Sequence, residues 1–81
     1  MIDYTKLPQH IRGGMKRYVE EHVLPGNFLQ AVICNDLTEA FIRADDINIE
    51  KMFEIVGFMY WEVPRMCWGS KEKMKKWMEK K

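Results

Sequence analysis

Apolar positions along the chain recur at intervals of three and four, and this spacing predicts helices from end to end. Val and Thr are sparse and no run alternates cleanly between apolar and polar, so no strand is predicted. The first helix begins at Pro8, where a missing N–H is harmless. It carries Ile11, Met15, Tyr18, Val19 and His22 at helical spacing and stops before Pro25. Gly13-Gly14 weakens its middle by about 1 kcal/mol per glycine relative to alanine, and a residue without a side chain there lets another element come close. Pro25-Gly26 reads as a turn, with Asn27 as cap of the next helix.

From Phe28 to Ala44 the apolar residues are Leu29, Val32, Ile33, Leu37, Ala40 and Ala44. A single helix would place Asp36 in the middle of that stripe, and a lone buried carboxylate is expensive. The segment is therefore expected to break at Asn35-Asp36, with one of the two capping a separate helix through Phe41. Asp45-Asp46 supplies the next cap and first-turn negative charge. The helix after it, running to about Val63, is the expected spine, with Ile49, Met52, Phe53, Val56, Met59, Tyr60 and Val63 as its core face. Pro64 ends it. Arg65 to Gly69 forms a loop whose large side chains fold back on the core, and Ser70 caps a last helix with Met74, Trp77 and Met78 on one side. The expected fold is all-α, a compact single domain of four to five short helices over residues 1–81.

Composition bounds the function. The chain has 81 residues, 13 Lys and Arg against 12 Asp and Glu, and a net charge of +1, which excludes a strongly basic nucleic-acid sleeve and a highly acidic mimic. No apolar run nears the roughly 20 residues of a membrane span, and the start lacks the pattern of a signal peptide. With two cysteines a disulfide scaffold is not built, and a reducing cytoplasm is expected. Charge is unevenly placed: residues 71–81 hold six Lys and two Glu, +4, and the rest hold 7 basic and 10 acidic groups, −3.

Motifs for chemistry are weak. Cys34, Cys67, His10 and His22 lack the close spacing that prepares a zinc site, so no metal and no cofactor is expected. Asp46-Ile47-Asn48-Ile49-Glu50 imitates the opening of a calcium loop, but Lys51 stands where glycine is needed and Gly57 where a glutamate is needed. Ser70 has no histidine partner in sequence, Gly13-Gly14 is not a phosphate loop, and catalysis is not expected.

The spine carries surplus apolar residues. Ile47, Phe58 and Trp61 lie at roughly 160°, 180° and 120° from Ile49 at 100° per residue, where a surface helix is polar. A domain this small buries only about 60% of its unfolded surface. Either the Met66-Cys67-Trp68 loop or the Ile2–Tyr4 segment covers that side, or a partner does. Aromatic and Met side chains are enriched in interface cores.

Leu7-Pro8-Gln9-His10-Ile11-Arg12-Gly13-Gly14-Met15-Lys16-Arg17-Tyr18, then Pro25 to Val32, Asn35-Asp36-Leu37, Ala44-Asp45, Tyr60 to Pro64 and Cys67-Trp68-Gly69-Ser70, resemble a family of small proteins encoded by tailed phages and prophages. The resemblance covers nearly the whole chain. It implies a phage-encoded accessory protein in the cytoplasm of a bacterial host that acts by binding, for example by blocking a defence complex.

Three readings follow. The first is a non-enzymatic interaction protein, self-associating and binding a host or phage protein through Ile47, Phe58 and Trp61, with Trp68 beside them. The second is a nucleic-acid binder using Lys71, Lys73, Lys75 and Lys76. The third is a sponge for a nucleotide signal, holding it with Arg12, Lys16, Arg17 or Arg43 beside an aromatic such as Tyr18.

Overall fold

A computed structural model describes residues 2–80. Among them six α-helices and two 3₁₀ turns follow one another, and no strand occurs. A 3₁₀ turn at Tyr4–Lys6 leads into α1 (Gln9–Glu21), then come α2 (Asn27–Ile33), α3 (Leu37–Arg43), α4 (Asp46–Glu50), α5 (Met52–Glu62), a 3₁₀ turn at Arg65–Cys67 and α6 (Lys71–Glu79). The all-α expectation holds. The radius of gyration is 11.4 Å, close to the roughly 11.7 Å of a folded chain of this length.

Local chemistry accounts for most boundaries. Pro8 stands just before α1, and His22 ends it in the left-handed conformation, its N–H donating to the Tyr18 carbonyl at 3.1 Å. Gly26, not Asn27, caps α2; Asn27 is the first helical residue and no side chain caps that end. The break at Asn35-Asp36 is present and both residues take part in it. Asn35 adopts φ 60°, and the N–H groups of Asn35 and Asp36 donate back to the carbonyls of Val32 (3.1 Å) and Ala31 (2.9 Å). That is the double closure of a helix end which tolerates Asn better than most residues. The Asp36 carboxylate then accepts from the Glu39 N–H at 3.2 Å and starts α3. Asp36→Ala is expected to lower unfolding free energy by about 1 kcal/mol, read as a shifted denaturant midpoint with unchanged slope.

The spine is not one helix. Lys51 interrupts it with φ −102° and ψ 13°. Ile47, Asn48 and Ile49 are all weak helix formers, so α4 lasts five residues. α4 buries Asn48 and α5 buries Met52, Ile55, Phe58 and Met59.

The core gathers Leu7, Met15, Tyr18, Ile33, Ile55, Met59 and Cys67 from the whole length of the chain. α2 packs on α1, α3 and α6, and the first 3₁₀ turn lies across α1 and α5. Gly14 has the role expected of a side-chain-free position, because a Cβ there would stand 3.3 Å from the Leu29 side chain of α2. Tyr18 ties distant segments together. Its hydroxyl donates to the Cys67 carbonyl at 2.6 Å, and its own carbonyl accepts from Trp77 Nε1 at 2.9 Å. In the Arg65–Gly69 segment Cys67 is buried and Trp68 half-buried against the core, whereas Met66 points to solvent.

Candidate interaction surface

α5 has the sequence MFEIVGFMYWE, so its only charged side chains are Glu54 and Glu62. A helix apolar all round is normally enclosed. Here one side faces the core and the other faces water. Phe53 is 88% exposed, Trp61 79% and Tyr60 55%, with Val56 beside them and Ile47 and Ile49 exposed on α4. Phe53, Gly57 and Trp61 are four residues apart and form one row along the helix.

The aromatic rings are held in place. Tyr60 and Trp61 meet edge to face, centroids 4.8 Å apart at 85°. The Arg65 guanidinium lies 5.8 Å from the Tyr60 ring centre, within cation–π range. On the flank toward α3, Leu37, Ala40, Met52, Val56, Met59 and Trp68 line a groove of about 100 Å³. Leu37 and Phe41, one turn apart on α3, extend the exposed apolar area past it.

The four residues singled out by sequence fare differently. Ile47 and Trp61 reach the surface as expected. Phe58 does not; it is 2% exposed, with Tyr4 of the N-terminal turn against it at 5.7 Å between ring centres. That turn is fixed over α5 by Lys6 Nζ on Glu62 at 2.7 Å, so the Ile2–Tyr4 segment is the cover for Phe58. Trp68 lies in the groove with Val56 and Met59 and is not a neighbour of Trp61, which borders Lys6, Glu54, Gly57 and Phe58. Ile49, Phe53, Val56 and Tyr60, assigned by periodicity to the core, stand on the surface instead.

The basic helix is sided as its spacing predicts, with Met74, Trp77 and Met78 against the core. Lys71, Lys73, Lys75 and Lys76 are exposed on α6, but Trp77 faces inward. Its indole N–H is committed to Tyr18, and its ring stacks near His22 at 4.4 Å. The aromatic that a nucleic acid would stack on is therefore part of the fold. Tyr18, the ring named for a nucleotide pocket, is fully buried and likewise unavailable. Arg12 is turned onto the carbonyls of Leu7 and Thr5, while Arg17 and Arg43 line a separate cleft with His10, Asp45 and Asn48.

The nucleophile and base candidates are occupied by structure. His10 pairs with Asp45 at 2.9 Å, and His22 Nδ1 lies 2.7 Å from the Trp77 carbonyl, which can only accept, so Nδ1 carries the hydrogen. Burial pushes the Cys67 thiol up to about 11 and raises that of Cys34 as well. Among the described residues no three His, Cys, Asp or Glu side chains converge on a common point. A small alkylating reagent is expected to label half-buried Cys34 well before Cys67, and to reach Cys67 at the rate of global unfolding. Equal labelling rates in native buffer, measured by peptide mass spectrometry, would contradict the packing described.

In comparisons with known proteins, no protein-family model, no curated protein and no solved structure matches this chain.

Proposed function

We propose that the chain is a binding protein whose working surface is the exposed side of α4 and α5 together with the Leu37–Phe41 side of α3. One observation supports this above the others: Phe53, Val56, Tyr60 and Trp61 stand in water on one side of a helix whose opposite side is the core. Exposed Trp and Tyr are the residues that carry most binding energy in protein interfaces. Both histidines are already engaged by neighbouring groups and both thiols are shifted away from the thiolate, which favours binding over catalysis. The resemblance to small proteins of tailed phages and prophages suggests a host or phage protein as the partner, a bacterial defence complex among the candidates, and the bacterial cytoplasm as the setting. Among the described residues no helix is long and apolar enough to cross a membrane.

The test is capture from bacterial lysate by the immobilised chain, read by mass spectrometry beside Leu37→Glu and Trp61→Ala variants checked for native circular dichroism. A partner retained by the parent and lost by at least one of the folded variants is expected. The same proteins bound by all three would overturn the reading.

The exposed lysines of α6 favour a second reading as a nucleic-acid binder, because the ion pairs found among the described residues use Lys6 and Arg43 and leave these four outward. If it holds, affinity for duplex or single strands falls steeply as salt rises from about 50 to 200 mM. Absence of binding at the low-salt end removes it.

A further inference from the structure

Gly57 sits in the middle of the exposed row of α5, between Phe53 and Trp61. Glycine inside a helix weakens it relative to alanine. Nothing in the subunit requires glycine there, for a Cβ at this position would meet no atom within 4 Å. Gly14, by contrast, is explained by the close approach of Leu29. A notch flanked by two exposed aromatic rings is what a second helix needs in order to approach closely.

We infer that two copies of the chain pair through α5, antiparallel and crossing at Gly57. The inference rests on the α4–α5 side being an interaction surface and names its occupant. An isologous interface repeats every contact about a two-fold axis. With the axis at Gly57, Phe53 of one copy meets Trp61 of the other, twice. Charge selects the antiparallel direction. Glu50, the last residue of α4, lies just before the N-terminal end of α5 and Arg65 just beyond its C-terminal end. Antiparallel pairing sets Arg65 of one copy against Glu50 of the other, whereas parallel pairing would oppose like charges.

The area is sufficient. Phe53, Trp61, Tyr60, Val56, Ile47 and Ile49 together expose roughly 600–700 Å² of side chain per copy, on the scale of 150–250 Å² for a whole aromatic. That exceeds the patch an ordinary monomer leaves open and approaches the roughly 800 Å² per partner of a stable complex. Pairing in this way leaves the Leu37–Phe41 side of α3 open for a different protein.

Sedimentation velocity from about 1 μM to about 1 mM tests the pairing. The parent is expected to move from 9.7 kDa to twice that mass with concentration. Gly57→Gln fills the notch with a better helix former, so it is expected to melt no lower than the parent when dilute, yet to raise the dimer dissociation constant about tenfold or more. Glu50→Arg and Arg65→Glu should each weaken pairing, and the double reversal should restore it. A parent that stays monomeric throughout, a Gly57→Gln variant that pairs as well as the parent, or a double reversal that fails to restore pairing overturns the inference. A monomeric parent would still leave the lysate capture by α3 and α5 free to succeed, so failure of the dimer and failure of the binding reading are separable. Should Gly57→Gln not fold, the charge reversals alone decide.

Discussion

Phe58→Ala is expected to lower the free energy of unfolding by about 3–5 kcal/mol, the range for removing a buried aromatic ring. A chain of 81 residues has on the order of 4–12 kcal/mol in total, so this one change removes a large part of it. At about 4–8 °C per kcal/mol, the melting temperature should fall by roughly 12–40 °C. The ring packs under Tyr4, so the N-terminal turn that Lys6 and Glu62 pin to α5 should loosen as well. Phe53→Ala is the matched control: same chemistry, same helix, one and a half turns away, but exposed. Measured dilute, it should stay within about 0.5 kcal/mol of the parent. Thermal melts of the two variants side by side check both statements; similar losses would mean that the inward and outward sides of α5 have been assigned wrongly.

The second large effect is at Tyr18. Tyr18→Phe keeps the ring and its packing but removes the hydroxyl, which leaves the Cys67 carbonyl without its donor in a buried place. An orphaned buried acceptor costs about 1–3 kcal/mol. The loss should be local in character, since the ring still fills its site. Hydrogen exchange should quicken first in the Arg65–Gly69 segment, including the Gly69 N–H that donates to the Ile33 carbonyl at 2.7 Å. A variant as stable as the parent would mean that water or another donor replaces the hydroxyl.

Where the residues carry a local signal, the sequence could be read closely. Asp36, Asp45 and Ser70 mark helix starts by chemistry that acts within a turn and stand where expected, while Pro8 sits one position outside α1 and not in its first turn. The split at Asn35-Asp36 followed from the cost of burying one carboxylate. The orientation of α5 could not be read in the same way. Periodicity points to a core only when the other side of a helix is polar, and here both sides are apolar. The stripe chosen from spacing included Met52 and Met59, which are buried, but also Phe53, Val56 and Tyr60, which are exposed, and it missed Ile55 and Phe58. What decided the matter was a long-range contact, the N-terminal turn lying on Phe58 from more than fifty residues away. A signal for the outward side was nevertheless present: Gly57, a helix-weakening residue among large ones. The inward side of α6 was legible from the spacing of Met74, Trp77 and Met78, whereas the bond from the Trp77 indole N–H to the end of α1 is a long-range contact that spacing does not carry.

The double attachment of Tyr18 has a consequence for how the protein is made. Its hydroxyl reaches a residue 49 positions later and its carbonyl one 59 positions later. Until Cys67 has emerged from the ribosome the Tyr18 hydroxyl lacks its acceptor, and until Trp77 has emerged the carbonyl holds only the His22 N–H of its own helix end. Closure of the core is thus deferred until the chain has emerged through Trp77, and the early helices stay loosely associated, within reach of chaperones, until that indole arrives.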